Sequence, residues 1–230
     1  MSSDLTALAD SLGLAFKNSH LVENAFVHRS YLNESKEFSE SNERLEYLGD
    51  AVLELATSDF LYRTFPDYQE GMLTNIRAAL VRTESLAELA SSLKFPSLIR
   101  MSKGEAAGGG RENQSILADT FEAFLGALYL DLGYDSCVEL LTTHLFPHVE
   151  MVLKEQSYKD NKSLLQEVAQ SRLKATPQYI LISESGPDHD KHFVMKAVIA
   201  GTEYAEGEGK SKQAAQEDAA KHTLEQMTRT

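Results

Sequence analysis

Three carboxylates in NERLEYLGDAVLELATSDFLY, residues 42 to 62, are spaced to share one side of a helix. At 100° per residue, Glu43, Glu46 and Asp50 fall within about 60° of arc. Leu48, Ala51, Val52 and Leu55 gather on another side, which predicts the apolar face. A second segment, ILADTFEAFLGALYLD at 116 to 131, sets Asp119 and Glu122 three apart on another apolar helix. Packed together, two such helices would converge four or five acids on one spot. Convergent carboxylates repel and raise one another's pKa, so they imply a cation or shared protons. Magnesium prefers oxygen ligands and keeps several waters, so a few carboxylates plus a substrate phosphate suffice to bind it. In phosphodiester hydrolysis such an ion activates a water and stabilises the leaving oxygen, and no protein nucleophile is required.

An isolated Glu-x-x-Glu pair more often lines a solvated helix face. Ala123 and Gly126, on the side of Asp119 and Glu122, are small enough to leave room for metal and substrate, which favours a site. Glu54 shares the face of Glu46 but lies roughly 12 Å along the axis, outside the cluster. His28 reads as a structural hydrogen-bonder, and Cys137 as a buried, inert thiol.

The elements that must position these acids are helical. Apolar periodicity predicts helices at 3–12, 19–27, 42–64, 71–80, 84–93, 113–132 and 135–154, with no alternating strand up to about residue 155. Breaks are expected at Phe65-Pro66-Asp67, at Lys94-Phe95-Pro96 and in the glycine-rich 104–110. The polar QSYKDN at 156–161 reads as a linker between a domain at 1–155 and a smaller one at 160–229. Beyond it, a helix at 162–173, strands at 178–184, 192–200 and 202–208, and an alanine-rich helix at 211–227 give an α-β-β-β-α unit. The fold class is therefore an all-α domain followed by an α+β domain.

With 42% hydrophobic and 25% charged residues, the chain of 230 residues has the composition of a soluble globular protein. No apolar run approaches a membrane span, no leader is evident, and a single cysteine suits a reducing compartment, so a cytoplasmic setting is expected. The net charge of −13 argues at first against nucleic acid. Its distribution softens that objection: residues 1–155 carry 12 basic against 24 acidic side chains, and residues 156–230 carry 10 against 11.

NERLEYLGDAVLEL resembles the signature of the ribonuclease III family, and ADTFEAFLGALYLD resembles its second acidic segment, in the expected order. AFVHRSYLNES, EGMLTNIRAALVRTESLAELA and GEAAGGGRENQSILAD extend the resemblance, which covers essentially the whole chain. It implies that Glu46, Asp50, Asp119 and Glu122 are metal ligands, with Asp50 and Glu122 catalytic and Glu122 least replaceable. It further implies Glu43, Glu70 and Glu105 as auxiliary acids, and Tyr47 as an aromatic inserted into a partner subunit. A homodimer also follows from need, since cutting both strands of a duplex takes two centres, which twofold symmetry supplies.

The C-terminal NKSLLQEVAQ, ESGPDHDKHFVMKAVIAG and GEGKSKQAAQEDAAKHTLEQM resemble a double-stranded-RNA-binding domain. Such domains read A-form shape across two minor grooves and the phosphates between them. The resemblance implies RNA contacts from Gln166 and Glu167, from the loop with Pro187, Asp188 and His189, and from Lys210 and Lys212. Gln213 departs from the pattern, which commonly has a second basic residue there. Together these features imply a magnesium-dependent endoribonuclease, with manganese as a substitute, that cuts double-stranded RNA to 5′-phosphate and 3′-hydroxyl ends with short 3′ overhangs and matures precursor ribosomal and other structured RNAs. A non-cleaving RNA-binding protein on the same fold is the rival, disfavoured because every matching acid is present. A DNA nuclease is disfavoured by the C-terminal module.

Overall fold

The computed structural model describes residues 2–187 and 190–228, which fall into two compact units divided between Tyr158 and Lys159. The first unit is helical and the second combines three antiparallel strands with two helices.

In the first unit, α1 (Ser3–Ser11) and α2 (Ser19–Ala25) precede the long α3 (Glu43–Thr64). Then come α4 (Glu70–Leu80), α5 (Thr83–Ser92), the short α6 (Phe95–Leu98) and α7 (Lys103–Ala107), α8 (Gln114–Leu132), α9 (Tyr134–His144) and α10 (Val149–Glu155). Asn113 starts α8 by accepting from the Ser115 and Ile116 amides. A helix apolar on all sides belongs in a core, and from Leu117 to Leu128 every residue of α8 is buried except Asp119 and Glu122. Aromatic rings pack around it edge-on, with Phe95 4.9 Å from Phe26 and 5.3 Å from Phe124.

Helix α3 crosses α8 at two glycines. A Cβ on Gly49 would overlap the Glu122 carbonyl oxygen, and one on Gly126 would overlap that of Leu45. Only residues without a side chain permit so close a backbone approach. This corrects the reading of Ala123 and Gly126 as space for metal and substrate: both are buried, and Gly126 serves the helix contact.

The core face of α3 is Leu45, Gly49, Val52, Leu53 and Ala56. Ala51 and Leu55, expected on the apolar face, point outward. The helix is apolar on two sides, and periodicity cannot tell which of them the core takes.

The expected helix at 135–154 is interrupted. A 3-10 turn, Phe146–His148, separates α9 from α10 because Pro147 has no N–H to donate and its ring clashes with the carbonyl four residues back. The glycine-rich segment also holds more order than a loop. Ser102 accepts from the Glu105 amide to cap α7, and a second 3-10 turn follows at Gly110–Glu112. Pro96 sits in the first turn of α6, where a proline is tolerated, so the expected break begins a helix.

The second unit runs α11 (Asn161–Leu173), β1 (Gln178–Ser185), β2 (His192–Ile199), β3 (Thr202–Gly209) and α12 (Lys212–Thr228), with the sheet in the order β1-β2-β3. Asp160 caps α11 by accepting from the Ser163 amide. Ala200 (φ 51°) and Gly201 (φ 80°) make the tight β2–β3 turn, the left-handed pair that matches strand twist. Helices and sheet bury Leu165, Ala169, Ala197, Ile199 and Ala220 between them. The alanines of α12 let it lie directly on β3, where a Cβ on Gly209 would meet the Ala215 amide at 2.6 Å. Among the described residues, no helix is long and apolar enough to cross a membrane.

Candidate metal centre and nucleic-acid interface

The glycine crossing determines which acids meet. Glu46 stands just ahead of Gly49 on α3, while Asp119 and Glu122 occupy the turn of α8 that passes it. One carboxylate oxygen from each of Glu46, Asp119 and Glu122 lies within 4.8 Å of the others, and all three side chains are half-buried. Burial, followed by the charges of Asp50, Asp119, Glu46 and Glu54, pushes the Glu122 carboxyl up to about 8. Glu46 is raised by burial and then by Asp119, Glu43 and Asp50, with Arg29 opposing. Asp119 is raised by burial, with His28 and Arg29 opposing. Three hard oxygen donors that resist simultaneous ionisation fit a divalent cation, whose charge would remove that resistance.

The remaining acids are distributed around this trio. Asp50 is exposed and its charge acts on both Glu46 and Glu122, yet it is outside the three-way group. Glu43 accepts from Ser41 Oγ at 2.8 Å and pairs with Arg29 at 3.7 Å. Glu43, Glu46, Glu105 and Asp119 line one cavity of about 510 Å³, together with Asn113 and Ser115. Glu70 is not brought to this place within the chain. It opens α4, accepts from Thr74 Oγ1 at 3.3 Å, and lines a different cavity of about 830 Å³ beside Leu55, Tyr62 and Arg77.

Sequence spacing set Glu54 aside, yet its charge reaches Glu122 while it pairs with Arg77 at 2.8 Å. Glu54 stays outside the three-carboxylate group, as its distance along α3 predicts. His28 has the structural role expected of it. Its Nδ1 is 2.8 Å from Ser30 Oγ, which accepts from the Ser102 amide at 3.0 Å and so ties the 3-10 turn Arg29–Asn33 to the start of α7. Cys137 is fully buried, and burial pushes its thiol up to about 12.

In the second unit, Gln166 and Glu167 are exposed on α11, beside Ser163, Gln170 and Lys174, around a shallow groove. Glu167 also accepts from Lys159 Nζ at 2.6 Å. Lys210 and Lys212 are exposed where β3 passes into α12, and Ser211 Oγ accepts from the Ala214 amide at 3.1 Å. Lys210 Nζ lies 3.5 Å from Asp190, and Lys212 Nζ lies 5.8 Å from the centre of the Phe193 ring. Pro187 is exposed, whereas Asp188 and His189 lie outside the described residues.

A helical domain with convergent carboxylates, followed by an α-β-β-β-α module, is the architecture of a nuclease joined to an RNA-binding motif. Residues 18–149 match the family model described as Ribonuclease-III-like, and residues 161–227 match the double-stranded RNA binding motif. The chain belongs to the ribonuclease III family. It is 44% identical to a protein named Ribonuclease 3 from Oceanobacillus iheyensis over 97% of this chain and 98% of that one. A Ribonuclease 3 from Geobacillus kaustophilus is 43% identical over 96% of this chain and 89% of that one. Among solved structures, the nuclease domain of ribonuclease III from Campylobacter jejuni matches with a TM-score of 0.58 at 38% identity, covering 63% of this chain and 95% of that one. A second structure of that domain, described as flexible in a region involved in dimer formation, matches with a TM-score of 0.56 at 40% identity, covering 60% of this chain and 93% of that one.

Proposed function

We propose that the chain is a double-strand-specific endoribonuclease that hydrolyses both strands of duplex RNA with magnesium, leaving 5′-phosphate and 3′-hydroxyl ends with short 3′ overhangs. The observation that carries this reading is the convergence of Glu46, Asp119 and Glu122 from two helices in a chain that also holds a double-stranded RNA binding motif. Glu46, Asp119 and Glu122 would hold the cation, with Asp50 completing its shell and Glu43 and Glu105 ordering water in the adjoining cavity. A bound divalent ion would supply an activated water and charge stabilisation at the phosphate. Residues 1–155 would be the catalytic domain and 160–229 the RNA-binding domain. In the latter, Gln166 and Glu167 would meet 2′-hydroxyls, and Lys210 and Lys212 would hold phosphates at a helix N-terminus. Precursor ribosomal and other structured RNAs in the cytoplasm are its expected targets.

Cleavage of matched duplex RNA and duplex DNA with magnesium tests the reading, because only RNA offers 2′-hydroxyls. The expected result is cutting of RNA alone. Cutting of DNA, or binding of RNA without any cutting, would overturn it.

The same reading calls for a homodimer. Along α3 the side chains of Tyr47, Leu55 and Tyr62 are 83%, 60% and 73% exposed, a stripe that the described residues of the first unit leave uncovered. The 830 Å³ cavity, walled by Leu55, Tyr62, Phe65, Tyr68 and Leu73, is large enough to receive the partner subunit's Tyr47. Aromatic anchors in such pockets typically contribute about 2 kcal/mol or more. Because a twofold dimer holds two copies of this contact, Tyr47→Ala removes about 4 kcal/mol and is expected to raise the dimer dissociation constant roughly 10³-fold while leaving the monomer folded. Sedimentation across a concentration series measures this, and an unchanged constant would remove Tyr47 from the interface.

A further inference from the structure

Arg29 has the side-chain environment of a substrate contact. The backbone just ahead of it is fixed: the His28 amide donates to the Arg100 carbonyl at 2.9 Å, and the Asn42 amide to the Val27 carbonyl at 2.8 Å. Its side chain is held only loosely. It is 74% exposed, and its ion pair among the described residues, to the exposed Glu43, spans 3.7 Å; exposed pairs of that length contribute little.

The arginines that stabilise this domain look different. Arg100 is largely buried, contacts Glu37 at 2.6 Å and Glu23 at 3.6 Å, and stacks 5.0 Å from the centre of Phe38. Arg77 is two-thirds buried, bonded to Glu54 at 2.8 Å and Ser58 at 2.7 Å. Arg29 is anchored like them at its base but not at its head.

Its location gives that loosely held head a purpose. Among the residues lining the acid-bordered cavity, Arg29 is the only lysine or arginine, facing Glu43, Glu46, Glu105 and Asp119, with His28 alongside. A polyanion approaching this cleft meets a wall of carboxylates, and bound cations offset only those they touch. A guanidinium at the rim presents a planar fork that matches two phosphate oxygens. The Glu43 pair keeps it pointed at the cleft until a phosphate replaces the carboxylate.

We propose that Arg29 is a substrate-positioning residue that leaves Glu43 to grip an RNA backbone phosphate next to the scissile one. This inference rests on the duplex-RNA nuclease reading. The Arg29 contact would bring the strand into the acid cleft, and the C-terminal module would supply the bulk of affinity.

The test compares the parent with Arg29→Ala and Arg29→Lys in the full chain. Duplex-RNA binding is measured with calcium in place of magnesium over a potassium chloride series, and kcat/KM is measured with magnesium. Loss of one phosphate contact per subunit, two per dimer, is expected to make the plot of log affinity against log salt shallower by about 2 for Arg29→Ala. A drop in kcat/KM of roughly tenfold should accompany it, given the usual strength of charge-assisted bonds, with an unchanged thermal midpoint. Arg29→Lys keeps the charge and should restore the slope, but not all of kcat/KM, since it lacks the fork. An unchanged slope in Arg29→Ala, whatever happens to kcat/KM, would overturn the proposal and leave Arg29 acting only through Glu43. Should Arg29→Ala melt early, Arg29→Gln, which keeps the stem and removes the charge, carries the same comparison. If instead the parent binds but never cuts, the nuclease reading fails, while the salt slope still reports on Arg29.

Discussion

Glu122→Gln is expected to abolish cleavage of duplex RNA while leaving binding intact. The substitution keeps size and one accepting oxygen but removes a charge from the Glu46, Asp119 and Glu122 trio. Metal-borne charge stabilisation of a phosphoryl transition state is worth several kcal/mol. At 1.36 kcal/mol per decade, losing it should cost about 10³-fold or more in kcat. Binding in calcium should be within a factor of about two of the parent, because the RNA contacts assigned to the second unit are untouched. Retained cutting by the variant would show that the centre lies elsewhere.

The same variant should respond oppositely in stability. In the chelated parent, the Glu122 carboxyl is pushed up to about 8, whereas an unfolded chain releases that proton near the ordinary value of 4.5. Between those two values the folded state keeps a proton that the unfolded state has lost. Stability therefore falls as pH climbs through that window and levels off above it. Because Glu122 is only partly screened from water, the loss should be on the order of 2 kcal/mol rather than the full shift. Glu122→Gln, neutral throughout, should melt higher than the parent at pH 8.5 and alongside it at pH 4.5, both in chelator. A thermal melt at each pH checks this, and a parent that gains stability across the window would contradict the assigned environment of Glu122.

The second large effect concerns no functional group at all. Gly49→Ala should destabilise the helical domain by about 3 kcal/mol or more, lowering its midpoint by roughly 10 °C. The new Cβ would overlap the Glu122 carbonyl and approach the Gly126 amide to 2.9 Å, both of them backbone, so neither can swing aside as a side-chain tip would. The helices must separate. Glu46 rides on one and Asp119 and Glu122 on the other, so cleavage should fall well beyond what the loss of folded protein explains. Gly71→Ala, in the first turn of α4 with nothing within 4 Å of its added Cβ, is the matched control and should be neutral or slightly stabilising. Differential scanning calorimetry of the pair decides it, and equal midpoints would mean the crossing is looser than the structure has it.

These effects separate what the residues alone determined from what packing decided. The helices that carry the acids, the three strands and the two-unit division are set by short-range features: apolar spacing, the Asn113 and Asp160 caps and the Ala200-Gly201 turn. Such features act over a few neighbouring residues, so they are legible in a string of letters. The pairing of Glu46 with Asp119 and Glu122 could be suspected from their types and spacing.

What a one-dimensional reading lacks is the crossing point of α3 and α8. That contact turned Gly126 from a space-maker into a backbone contact, brought the charge of Glu54 to bear on Glu122, and left Asp50 in solvent beside the trio rather than within it. It also decided which apolar side of α3 is core, leaving Tyr47, Leu55 and Tyr62 uncovered. Helical periodicity fixes the angle of a side chain about its own axis. The distance between side chains on different helices is set by how closely two backbones approach, and here that depends on two missing Cβ atoms 77 residues apart.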